Sequence, residues 1–159
     1  MFTVKSGEVR LLKYDRGLHT DECHKFAFPD GRDFLICRGG STYQGESTEM
    51  IFMAAFDAAG SGVTTKLISA MDTANTCLGE IKFSPAESGR SQSPGKSVEI
   101  TGLTITAMQG TTDCAASQNA TAGKLRRNIK SYEIEFLFDG KNFTVAPASR
   151  VALRRFDTN

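Results

Sequence analysis

Few residues in this chain could do chemistry, and their spacing narrows what that chemistry is. Four cysteines, Cys23, Cys37, Cys77 and Cys114, lie 14, 40 and 37 positions apart. No Cys-x-x-Cys pair occurs, which excludes a zinc ribbon and a thioredoxin-like redox site. An even number of cysteines in a small β-rich chain reads as two disulfides. The alternative is four buried thiols in a reducing compartment. The two histidines are His19 and His24. His24 follows Cys23 directly, and neighbours on a strand point to opposite faces, so they form no nucleophile–base dyad. His24 reads as a partly buried framework residue and His19 as a solvated one.

The remaining motifs carry no specific signal. The run from Gly89 to Ser97 looks like a phosphate-binding loop, but five residues separate its glycines and a strand pattern follows. A P-loop has four, and it needs a helix N-terminus facing the phosphates. Asp30, Asp33 and Asp57 lack the spacing of a calcium-binding EF-hand and read as turn formers. Glu22, Glu46, Glu49, Glu80 and Glu87 could supply a carboxylate pair for sugar hydrolysis, but sequence cannot measure the separation that decides it. Lys124, Arg126 and Arg127 form a small basic cluster without interleaved aromatics, which reads as solvated loop. No catalytic residue, metal ligand or cofactor is expected.

Composition agrees with a binding or structural domain. The 159 residues suit one domain spanning the whole chain, 1–159. The net charge of +1 argues against a nucleic-acid partner, which needs a basic excess. Eleven Phe, three Tyr and no Trp favour strands. There is neither an apolar run long enough to span a membrane nor a signal-peptide pattern at Met1–Lys5. A secretory leader is expected to have been removed.

The elements that hold these residues read as an all-β fold. The expectation is an antiparallel sheet of about eight strands, as a sandwich or open barrel, braced by disulfides and carrying long polar loops. Val9–Tyr14 is a short strand, and 15–22 is irregular. Cys23–Phe28 and Arg32–Arg38 flank Pro29-Asp30-Gly31, a turn with Gly in the left-handed position of a bulge. That three-residue loop sets Phe26 opposite Phe34, His24 opposite Ile36 and Cys23 opposite Cys37. It places Phe26, Phe28, Phe34 and Ile36 on a core face, and Lys25, Asp33, Leu35 and both cysteines on the other. Opposed strand residues lie within disulfide reach, so Cys23–Cys37 is the preferred pairing, leaving Cys77–Cys114. Glu49–Asp57 and Val63–Ala70 form a second strand pair. Ile81–Phe83 is a short strand. Ser97–Met108 is long, and its apolar parity slips at Gly102, which a β-bulge would absorb. Tyr132–Val145 is a hairpin whose Asp139-Gly140 signals a two-residue turn, pairing Phe136 with Phe143 and Ile134 with Val145. Ala148–Phe156 is a short helix or a last strand, with Arg150, Arg154 and Arg155 in solvent.

Three polar stretches, 38–48, 84–96 and 109–123, read as loops on this stiff frame, where recognition concentrates. Ser41, Thr42, Tyr43 and Gln44 in the first, and Ser88 and Arg90 in the second, are the expected partner-binding residues. The cysteine hairpin, polar loops and closing Phe-rich hairpin resemble the bacterial periplasmic lysozyme inhibitors, especially the invertebrate-type class, and related immunity proteins of antibacterial effectors. Those inhibitors carry Ser-Gly followed closely by Tyr; here Ser88-Gly89 precedes Arg90-Ser91, and Ser41-Thr42-Tyr43 lacks the glycine. The resemblance implies a non-enzymatic periplasmic or secreted protein that inserts a polar loop into the cleft of a secreted or cell-wall hydrolase. The alternatives are a carbohydrate- or surface-binding module, against which the lack of Trp argues, and a hydrolase with a carboxylate-based site.

Overall fold

The computed structural model describes residues 2–5, 8–11, 19–56, 62–86, 98–110 and 129–157. Strands β1 (Phe2–Lys5) and β2 (Glu8–Leu11) pair as a separate antiparallel hairpin. Four strands then form a meander: β3 (His19–Ala27), β4 (Asp33–Tyr43), β5 (Glu46–Phe56) and β6 (Gly62–Met71). A single turn of 3₁₀ helix, Asp72–Ala74, leads into β7 (Thr76–Pro85). This strand pairs with β8 (Val98–Gln109), which also pairs with β9 (Lys130–Phe138), and β10 (Phe143–Val145) closes that side. A second 3₁₀ turn, Pro147–Ser149, precedes helix α1 (Arg150–Asp157). The two halves meet where β3 runs parallel to the start of β8, through Phe26↔Val98 and Ala27↔Glu99. The result is one eight-stranded, mostly antiparallel sheet curled towards a barrel. The all-β expectation is met.

The β3–β4 hairpin forms as its turn chemistry dictates. Gly31 N–H donates to the Phe28 carbonyl at 2.9 Å and Phe28 N–H to the Arg32 carbonyl at 2.7 Å. Gly31 has φ +81°, a conformation that costs a residue with a Cβ. The register is Cys23↔Cys37, His24↔Ile36, Lys25↔Leu35 and Phe26↔Phe34. Phe26, Phe28, Phe34 and Ile36 are all buried, while Lys25 and Asp33 pair on the opposite face at 2.8 Å. That same face carries the Cys23–Cys37 disulfide, with Cα atoms 4.1 Å apart. Strand β3 starts earlier than expected. Residues 19–22 are not irregular but extend the ladder past a register shift between Thr20 and Glu22.

The phenylalanines form one file through the core. Ring centroids separate Phe83 from Phe26 by 4.6 Å, Phe26 from Phe34 by 5.8 Å and Phe34 from Phe138 by 5.1 Å. Phe138 stacks on Phe143 at 4.7 Å. The file crosses from one half of the sheet to the other, so it welds them with aromatic contacts beyond simple burial. Around it pack Ile51, Ile68, Leu78, Leu103, Ile105 and Ile134, each almost wholly buried.

The β9–β10 turn differs from the expected one. The register is Phe138↔Phe143 and Phe136↔Val145, so the loop has four residues, 139–142, instead of two. Asp139 is the reason: its Oδ1 accepts from Lys141 N at 2.9 Å and Asn142 N at 2.7 Å. This side-chain cap outcompetes the tight Asp-Gly turn. The slip is two positions, so every side chain keeps its face. Donation from the Asn142 and Lys141 amides holds the Asp139 carboxyl below its ordinary value. A depressed native pKa adds stability above the unfolded value, and that stability is lost as pH falls through the native one. Asp139→Ala is therefore expected to be less stable than the parent at neutral pH, with the gap closing at about pH 2. Urea unfolding at both pH values checks this; an equal gap at both would refute it.

Strand β8 carries the expected bulge. Ser84 pairs with Gly102 but Pro85 with Ile100, which leaves Thr101 as the extra residue. Ile100, Leu103 and Ile105 thereby all face inward. A Cβ at Gly102 would strike the Phe136 carbonyl, so glycine is what lets β9 approach. Two further stretches are more regular than expected. Residues 38–48 are no loop: β4 and β5 stay paired from Phe34↔Ala55 to Tyr43↔Glu46. The strand expected at 81–83 is the second half of the ten-residue β7. The final segment is helical, with Ala152, Leu153 and Phe156 on the core and Arg150, Arg154 and Arg155 exposed.

Candidate functional site

The distal half of the β4–β5 hairpin is the most distinctive surface. Its tip is a two-residue turn, Gln44-Gly45, with φ +50° and +87°. Both residues in the left-handed region mark a type I′ turn, whose twist matches the strands it joins. Tyr43 sits at this tip with 74% of its surface exposed, an unusual position for an aromatic ring. Its hydroxyl accepts only a long 3.4 Å contact from Gln44 Nε2. Below it, Thr42 Oγ1 and Ser47 Oγ lie 3.1 Å apart across the strands.

Beside the hairpin lies an open cavity of about 360 Å³. Its lining includes Ser41, Thr42, Ser47, Thr48 and Thr76 and the acidic residues Asp21, Glu49 and Asp72; Thr42, Ser47 and Glu49 share one face of the paired strands, and Ser41 and Thr48 the other. Among the described residues, no lysine, arginine or histidine side chain lines it. Thr76 is buried and doubly bonded to Met71, donating to its carbonyl at 3.0 Å and accepting from its amide at 2.9 Å. Asp72 Oδ1 accepts from Thr73 N at 2.7 Å.

Glu49 is fixed most firmly. The ladder between β7 and β8 breaks between Leu78 and Ile81. There Glu49 Oε2 accepts from the Leu78 amide at 3.0 Å, and Arg38 donates through Nη2 to the Gly79 carbonyl. Arg38 Nε lies 3.5 Å from Glu49 Oε1, close enough to balance charge but too far for a hydrogen bond. That nitrogen is buried without a hydrogen-bond partner. Arg38 and Glu49 thus clasp the meander to β7 with side chains where no strand ladder does so.

The expected site residues divide. Ser41 and Thr42 line the cavity, and Tyr43 and Gln44 form the tip. Ser88, Arg90 and Cys114 lie outside the described residues, as do Glu87, Asp57 and the cluster at 124–127. Cys77 is disulfide-bonded as well. Sequence reasoning missed Asp21, Asp72 and Thr76, and did not assign Glu49 to a cavity wall. For Glu49 a signal existed. It shares the inward parity of Ile51 and Met53, as Arg38 shares that of Phe34 and Ile36, so two opposite charges fall at core positions of paired strands.

His24 bonds Glu22 at 2.9 Å and packs on Phe83 at 4.9 Å, outside the cavity wall. The cysteine sulfurs of Cys23 and Cys37 are spent on their disulfide. Among the described residues, no three His, Cys, Asp or Glu side chains gather closely enough to hold a metal ion. No helix among them is long and apolar enough to cross a membrane. No family model, no curated protein and no solved structure matches this chain.

Proposed function

We propose that this is a non-enzymatic binding protein that engages a protein partner through the β4–β5 hairpin tip, Ser41–Glu46, inserted into a concave site. The carrying observation is Tyr43, 74% exposed on a turn held by paired strands. A rigid aromatic anchor loses little entropy when it is buried at an interface. A secreted or periplasmic setting, with a cell-wall or other secreted hydrolase as partner, is supported by the Cys23–Cys37 disulfide, since oxidising compartments preserve such bonds. An inhibitor or immunity role accords with a tip that projects beyond its scaffold.

Capture from periplasmic extract and a panel of secreted hydrolases tests the reading. A stoichiometric partner is expected, and Tyr43→Ala is expected to weaken it roughly thirtyfold, the loss typical of a central aromatic anchor. Tyr43 supports no core contact, so the variant should unfold like the parent. Capture of no partner, or capture indifferent to Tyr43→Ala, would overturn it.

A further inference from the structure

We propose that the cavity beside the β4–β5 hairpin binds a neutral, polyhydroxylated ligand of sugar-ring size, independently of the hairpin tip. Its volume of about 360 Å³ falls in the range of small-molecule sites, roughly 300–1,000 Å³. The wall selects by what it lacks. Carboxylates with no lining cation among the described residues would repel a phosphate or an acid. The three carboxylates belong to no gathered metal-binding group, so a metal ion finds no convergent ligand set.

What the wall offers is a mixed hydrogen-bonding surface. The Glu49 carboxylate is anchored through Leu78 N and Arg38, and that of Asp72 through Thr73 N, so both are oriented acceptors. The Thr42–Ser47 hydroxyl pair can run in either direction, and hydroxyls both donate and accept. A polyol has the complementary inventory: it donates to carboxylates and exchanges donor and acceptor roles with hydroxyls. Gly40 adds shape. A Cβ there would strike the Thr48 carbonyl, so its absence keeps the paired strands close and the wall open. The wall stands on strands and a capped turn, which preorganises it.

Titration of the full chain with glucose, N-acetylglucosamine and its disaccharide, followed by amide NMR shifts, tests this. Saturable shifts at Thr48, Asp72 and Thr76 are expected with at least one of these sugars. Ser47→Ala is expected to weaken that binding about tenfold, with an unchanged unfolding midpoint. Tyr43→Ala should leave the titration intact, so failure of the hairpin reading and failure of this one separate. No saturable shift from any of the three sugars up to tens of millimolar would overturn the proposal. So would equal binding of glucuronate, or shifts produced by spermidine or calcium instead of sugar.

Discussion

Replacing Glu49 by alanine is expected to lower the free energy of unfolding by about 2–3 kcal/mol. Two losses combine. The Leu78 amide loses its acceptor at the break in the β7–β8 ladder, and Arg38 loses its counter-charge. Removing one partner of a buried pair costs roughly 3–5 kcal/mol, and this pair is part-exposed, Arg38 at 24% and Glu49 at 30%, which reduces the figure. Glu49→Gln keeps an acceptor for Leu78 and gives up only the charge, so it should cost less. The double variant Arg38→Met/Glu49→Gln removes the uncompensated cation and should recover part of the Glu49→Ala loss. Urea unfolding of the three variants measures all of this. A Glu49→Ala cost under about 0.5 kcal/mol, the ordinary range of a surface change, would mean that the clasp does not hold β7.

The second large effect belongs to the Cys23–Cys37 bond. The double variant Cys23→Ala/Cys37→Ala is expected to lose about 3 kcal/mol, as for a loop of this length, 14 residues. For a chain of this size that lowers the melting midpoint by roughly 6–12 °C. Alanine is the suitable replacement because Cys37 is 2% exposed, and a serine hydroxyl there would be buried without an assured partner. The hairpin should still form, since its turn and the Phe26–Phe34 pair do not depend on sulfur. A thiol count on the denatured, unreduced parent should find neither cysteine reactive. Reactive Cys23 and Cys37, or a midpoint unmoved by the double substitution, would remove both the stability argument and the support for an oxidising compartment.

The two effects act on different joints. The disulfide ties β3 to β4 within the meander, whereas the Arg38–Glu49 clasp ties the meander to β7 across the core. The clasp also bears on recognition. Glu49 holds one wall of the cavity, and the strands it steadies run on to the tip that presents Tyr43. Loss of Glu49 should loosen both surfaces, whereas Tyr43→Ala should affect the tip alone and Ser47→Ala the cavity.

Local chemistry decided much of this protein before any tertiary contact formed. Pro29-Asp30-Gly31 set a register, the register put Cys23 opposite Cys37, and alternation assigned Phe26, Phe28, Phe34 and Ile36 to the core. The bulge at Gly102 was equally legible, as a slip in parity that only an extra residue could absorb. These features succeed because turn geometry and a period of two act over a few residues. Where two local options compete, the reading fails: Asp139 could precede a tight Gly turn or cap a longer one, and its two amide contacts chose the latter. The polar run 38–48 misled for another reason. Small polar residues resemble a loop by composition, but ten paired positions along β4 and β5 hold them as strand up to the Gln44-Gly45 turn. The site lay furthest from view. Asp21, Glu49, Asp72 and Thr76 come from β3, β5, the first 3₁₀ turn and β7, and only the curl of the sheet brings them around one cavity. No spacing along the chain encodes that curl. It follows from strand twist, from the parallel junction of β3 with β8, and from a core that must close on both halves at once. Tyr43 was visible as a residue; that it stands 74% exposed on a rigid tip was the decision of the fold.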